Sequence, residues 1–259
     1  MKKRRKTIYA GTLVKIVEYT PPKPRDTPRQ RAAKHKATTA AQKALNFKTA
    51  QGRLELKLAA NFNTSDYFCT FTYSAGQEPA SRKEANRHKV QFLRRLREVR
   101  RRRGQLLKWI FAIEGKHGEH RWHLHAVINS ADQHLDFDEI CSLWPFGRVE
   151  VKRLFDADHV GSTWLDIARY MTKERPEDGK DQTPVGAQIY SCSRNLVNPL
   201  TDPSCIKTEW IEVGAPLELP ADSFIIDREE TENEYSTFKY IKYMTEPLHH
   251  MTKPLHRRD

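Results

Sequence analysis

His123 and His125 lie two residues apart in the run Arg121-Trp122-His123-Leu124-His125-Ala126-Val127-Ile128. In a strand, residues two apart point to the same face, so this spacing sets two imidazoles side by side. Upstream, Trp109-Ile110-Phe111-Ala112-Ile113-Glu114 has the apolar, partly β-branched character of a partner strand, and Lys116 to His120 is a polar, glycine-containing turn. The stretch reads as a β-hairpin in which Glu114 faces the histidine pair across the ladder. Two imidazoles and one carboxylate on a rigid hairpin hold a divalent ion and leave coordination positions open for substrate. His-x-His on a strand also arises through packing alone, so a second constellation carries weight. Ser162 to Glu174 places Trp164, Ile167, Ala168 and Met171 at the spacing of one helix face. Tyr170 and Lys173, three apart on the other side, project together as a nucleophile and a cation.

These groups need a scaffold. Tyr67-Phe68-Cys69-Thr70-Phe71-Thr72-Tyr73 alternates as a strand, with Phe68, Thr70 and Thr72 on one face. Ser81 to Arg103 is an amphipathic helix whose apolar stripe is Ala85, Phe92, Leu93, Leu96 and Val99, closed by Gly104 at its C-terminus. Asp136 to Leu143 reads as a short helix, Arg148 to Leu154 as a strand and Gln188 to Cys192 as a last short strand. The order β-α-β-β-α-β plus a final strand predicts an α+β fold: an antiparallel sheet of about five strands with flanking helices, of the split-βαβ type.

The net charge is +12, and it is uneven. Residues 1–50 account for +12 and residues 82–103 for +9, so the rest of the chain together carries −9. Two concentrated basic segments point to a polyanionic partner rather than to general solubility. Arg94, Arg95, Arg100, Arg101, Arg102 and Arg103 exceed what helix capping requires and are candidates for contacts to a DNA backbone. No apolar run approaches a membrane span, and Cys69, Cys141, Cys192 and Cys205 lack metal-knuckle spacing, which favours reduced thiols and a cytoplasmic protein.

Three elements in this order, Phe-Cys-Thr-Phe-Thr-Tyr (68–73), Arg-Trp-His-Leu-His (121–125) and Tyr-Met-Thr-Lys (170–173), resemble the motifs of single-tyrosine HUH endonucleases. These are the rolling-circle replication initiators of phages, plasmids and related mobile elements. Asn61-Phe62, Trp144 with Gly147-Arg148, and Ser193-Arg194-Asn195-Leu196 are similar to a bacterial and phage branch of them. The resemblance implies that Tyr170 attacks a scissile phosphodiester of single-stranded or hairpin origin DNA, giving a 5′-phosphotyrosyl link and a free 3′-OH. It also implies that Glu114, His123 and His125 hold Mn²⁺ or Mg²⁺, with Lys173 assisting. The chain has no G-x-x-x-x-G-K-[ST] phosphate loop, so the expectation includes a separate helicase.

Around that domain, placed at 61–200, the expectation is a basic N-terminal extension over 1–60. It comprises a mobile Lys2–Lys6 head, a proline-rich linker and a helix from Arg29 to Ala60. An acidic C-terminal extension of unknown role follows over 201–259, helical from Glu229 to Tyr243. A single-tyrosine transposase or relaxase would share the chemistry. A non-catalytic basic DNA-binding regulator would share only the charge.

Overall fold

The computed structural model describes residues 2–21, 40–115, 121–132, 136–155, 163–172, 189–233 and 236–245. Among them the chain forms two five-stranded antiparallel sheets and four α-helices, an α+β fold. It divides into two compact units, one of Met1–Asn61 with Val197–Pro247, the other centred on Phe62–Leu196.

In the central unit the elements are β3 (Tyr67–Thr72), α2 (Arg82–Arg102), β4 (Trp109–Glu114), β5 (His123–Ile128), α3 (Asp136–Ser142), β6 (Val149–Arg153), α4 (Trp164–Thr172) and β7 (Tyr190–Cys192). The sheet order is β6-β3-β5-β4-β7. Since β3 and β4 both pair antiparallel with β5, they run parallel to each other with β5 between them, the split-βαβ arrangement. Alternation then divides the side chains. Tyr67, Cys69, Phe71, Phe111, Leu124, Ala126 and Ile128 join Ala85, Phe92, Leu93 and Leu96 of α2 and Ile140 of α3 in one apolar core. Helices α2 and α3 therefore cover one face, and α4 packs on the other, against β4.

Local chemistry sets the ends of α2. Ser81 Oγ accepts from the Glu84 amide, and the Glu84 carboxylate accepts in return from the Ala80 amide. At the other end Gly104 takes φ +66, a left-handed conformation that lets its amide and that of Gln105 return to the Arg101 and Arg100 carbonyls.

The flanking segments depart from expectation. Lys2–Lys6 is no mobile head, because it begins β1 (Lys2–Ala10), which turns at Gly11 into β2 (Leu13–Tyr19). The C-terminal segment supplies β8 (Ile206–Glu212), β9 (Phe224–Asn233) and β10 (Ser236–Met244), so the helix expected over Glu229 to Tyr243 is two strands. All five share one sheet in the order β8-β1-β2-β10-β9. What reads as two separate extensions is thus one unit. Helix α1 (Ala40–Asn61) packs on β1 and β2, and Gly52 does not interrupt it. At Gly11, φ is +60 and a Cβ would come within 2.3 Å of the Ala59 carbonyl oxygen, so the β1–β2 turn and α1 can approach only through glycine. The proline linker and the start of the expected helix, residues 22–39, lie outside the described residues. No helix among the described residues is long and apolar enough to cross a membrane.

Candidate active site

The ladder register builds the site. Glu114 pairs with His123 and Ala112 with His125 on one side of β5; Thr72 and Thr70 pair with the same two histidines on the other. Directly paired residues share a face, so Glu114, His123, His125, Thr70 and Thr72 stand together on the face opposite α2.

His125 is nearly inaccessible, at 2%. Its Nε2 donates to Glu114 Oε2 at 2.9 Å, and its Nδ1 lies 3.5 Å from Thr70 Oγ1. A carboxylate on one nitrogen and a hydroxyl near the other fix the ring plane. The ring of Phe68 stacks at 6.0 Å on its flank. His123 is half-buried, its ring 6.5 Å from that of His125 and inclined by 24°.

Helix α4 brings Tyr170. Its N-terminus is capped reciprocally: Asp166 accepts from the Thr163 amide and hydroxyl, and the Asp166 amide donates back to Thr163 Oγ1. Trp164, Ile167, Ala168 and Met171 are buried, as the apolar spacing requires, and this fixes the helix rotation. The half-buried Tyr170 ring then meets His125 edge-on at 5.1 Å and Phe68 at 5.6 Å. The expected Lys173 lies outside the described residues, as do His117 and His120 of the hairpin turn.

Two imidazoles and a carboxylate on one sheet face are the donor chemistry a divalent ion takes, and Glu114 and His125 already meet. His123 stands apart from that pair, and no group of three His, Cys, Asp or Glu side chains that could hold a metal ion forms among the described residues.

The arginines of α2 sit on the other face of the sheet. Arg100 is corrected outright: it is fully buried, 2.8 Å from the equally buried Asp136, and cannot reach DNA. The signal was present, since Lys89, Phe92, Leu96 and Arg100 continue one helical stripe. Arg103 pairs with Glu139 at 2.9 Å, and Arg95 points toward the Leu143 carbonyl at 3.4 Å. Exposed Arg101 and Arg102 share Glu98, whose carboxyl their hydrogen bonds hold down at about 2. Such exposed pairs exchange readily for phosphate. Arg94 is exposed.

Other residues were missed or gain a role. A recess of about 820 Å³ opens at the end of α2, lined by Arg97, Arg101, Leu106, Trp109, Arg194 and Asn195 among others, with no acidic residue in its wall. Ser193 exchanges hydrogen bonds with the Trp109 backbone, and Asn195 donates to the Leu107 carbonyl, so the 193–196 run ties its loop to β4. Asn61 grips the Val197 backbone through both ends of its amide. Tyr190, opposite Ala112, is a second tyrosine on the histidine face, two strands or roughly 10 Å from His125. Trp122 is core. The four cysteines are free.

Residues 66–175 match the family of replication-associated proteins of the ORF2 type. The match runs from the start of β3 past Tyr170 and takes in every candidate catalytic and metal residue. It supports a role in replication initiation, and with it DNA binding. No curated protein and no solved structure matches the chain.

Proposed function

We propose that this protein initiates rolling-circle DNA replication by nicking and rejoining single-stranded origin DNA through Tyr170. The observation that carries this reading is the edge-on contact of Tyr170 with His125 on the face where the register sets Glu114 and His123. A tyrosine exposed on a helix by chance has no reason to lie against a buried histidine held by a carboxylate.

In the proposed reaction the Tyr170 oxygen attacks phosphorus in line, the 3′ oxygen of the preceding nucleotide leaves, and a 5′-phosphotyrosyl ester forms. The free 3′-OH primes synthesis, and the reverse attack rejoins the strand without ATP because the ester retains the phosphodiester's energy. A phenol has an ordinary pKa of about 10, so its proton must be drawn off as attack proceeds. Glu114, His123 and His125 would hold the divalent ion, Mn²⁺ or Mg²⁺, which supplies Lewis-acid polarisation of the phosphate when bound. Glu114 and Thr70 orient the His125 ring, Phe68 keeps water from its flank, and Lys173 offers an ammonium to the developing negative charge. Strand separation falls to a separate helicase in this scheme.

The test is incubation with a labelled pool of single-stranded oligonucleotides and Mn²⁺, followed by denaturing electrophoresis. A labelled band at the protein's mass is expected, absent with EDTA and with Tyr170→Phe but retained with Tyr190→Phe. Tight binding with no adduct across the pool would replace this reading by the non-catalytic regulator. An adduct that persists in Tyr170→Phe would move the nucleophile elsewhere.

A further inference from the structure

The sheet formed by the two chain ends carries an unassigned surface. One row of directly paired residues crosses four of its strands: Trp210 on β8, Arg4 on β1, Tyr19 on β2 and Phe238 on β10. These four side chains share one face. Trp210 is 56% exposed and Phe238 40%, while Tyr19 is half-buried. The Arg4 guanidinium lies over the Trp210 ring at 5.2 Å. Toward β1's middle the same face is closed by α1, where Lys242 meets Glu55, so the open row is confined to the sheet's other end.

Charge decides what such a row could hold. Alternation along β1 sends Lys2, Arg4 and Lys6 to the aromatic face. Arg5, on the opposite face, is held by Glu18 at 2.7 Å and Glu209 at 3.7 Å. The strand carboxylates that share the aromatic face are Glu212 opposite Lys2, Glu229 opposite Tyr240 and Asp227 opposite Lys242, and none belongs to the Trp210–Phe238 row. Three rings interleaved with a guanidinium and flanked by lysines suit unpaired bases and their phosphates. A duplex would keep its bases from the rings, and an apolar protein partner would leave Arg4 desolvated.

We propose that the Trp210–Arg4–Tyr19–Phe238 row is a stacking platform for single-stranded DNA, separate from the Tyr170 site. It rests on the reading of the chain as an enzyme of single-stranded DNA, and it gives that enzyme a second hold on its substrate, by stacking rather than by base-edge reading.

The experiment is fluorescence anisotropy of labelled dT20 with the full chain in EDTA, run beside the adduct assay. Trp210→Ala combined with Phe238→Ala should weaken dT20 binding roughly tenfold or more, whereas Trp210→Phe combined with Phe238→Tyr should hold it within about twofold. Arg4→Gln should lower the slope of log affinity against log salt by about 0.7. Unchanged dT20 affinity in a double-alanine variant that melts like the parent overturns the platform. So does a dimer that dissociates in that variant while dT20 binding persists, which would assign the row to a second copy. Loss of dT20 binding in a chain whose parent forms no tyrosyl adduct would remove the nickase reading and leave the platform standing. Adducts with unchanged dT20 affinity would do the reverse.

Discussion

The sheet of β3 to β7 is built from contiguous chain, and its two faces divide labour: one buries the apolar core under α2 and α3, the other carries Glu114, His123 and His125 beneath α4. The sheet of β1, β2 and β8 to β10 joins residues nearly two hundred positions apart, as in the pairing of Arg4 with Trp210. Each unit also has a buried ion pair. In the first, Arg100 at the end of α2 meets Asp136 at the start of α3. In the second, Glu55 of α1 meets Lys242 of β10, both Nζ–carboxylate distances being 3.1 Å. Both pairs fasten a helix to a neighbouring element, but only the first unit adds side chains that form a candidate catalytic group. The contrast teaches that buried charge here marks assembly, whereas the reactive site uses a half-buried phenol, an imidazole and a carboxylate at the edge of water.

The sharpest break between the units should come at Tyr170. Tyr170→Phe is expected to lower adduct formation on the order of a thousandfold or more while single-strand affinity stays within about twofold, as gel and anisotropy assays would show. Should binding fall along with the adduct, the ring's role is structural.

Next in size are the two ion pairs. Removing one partner leaves the other charge buried, at about 3–5 kcal/mol. In hydrogen-exchange mass spectrometry, Arg100→Met should loosen α2 and α3 and spare β2 and β10. Lys242→Met should loosen α1 and β10 and spare β3 to β5. Equal loosening everywhere in either variant would mean the two sheets are not separate stability units.

Glu114→Gln keeps a hydrogen-bonding side chain beside His125 but loses the charge. Adduct formation should drop roughly ten- to a hundredfold and need more Mn²⁺, read from a metal titration. An unaltered Mn²⁺ dependence would take Glu114 out of the ligand set.

The smallest effect is expected at His88, stacked on Phe146 at 3.8 Å and 3.3 Å from Tyr73 Oη. Burial lowers its pKa below the ordinary 6.5. The unfolded chain then binds a proton that the folded one refuses, so this contribution is complete above pH 6.5 and lost as pH falls through the lowered value. Melting curves at about pH 7.5 and about pH 5 should differ slightly less in His88→Gln than in the parent. No difference would mean that the stacked ring titrates as it does in the unfolded chain.

The site was legible because its determinants are local. Strand alternation put His123 and His125 on one face, and the 164–171 stripe oriented Tyr170. The arginine run misled because composition reports charge without rotation: Arg100 continues the Phe92–Leu96 stripe, and its partner Asp136 is distant in sequence. The Lys2–Lys6 run has the composition of a solvated tail, and only β8 and β2 make it a strand.

From the chain alone came the hairpin, the helix that presents the tyrosine, the split-βαβ order and the polyanion-seeking charge, all consequences of short-range periodicity and composition. The tertiary structure alone decided that the two termini share a sheet, that Arg100 is interior, and that Trp210, Arg4, Tyr19 and Phe238 form one row. Pairing between remote strands fixes those neighbours, and the periodicity of a single strand carries no information about which strand lies beside it.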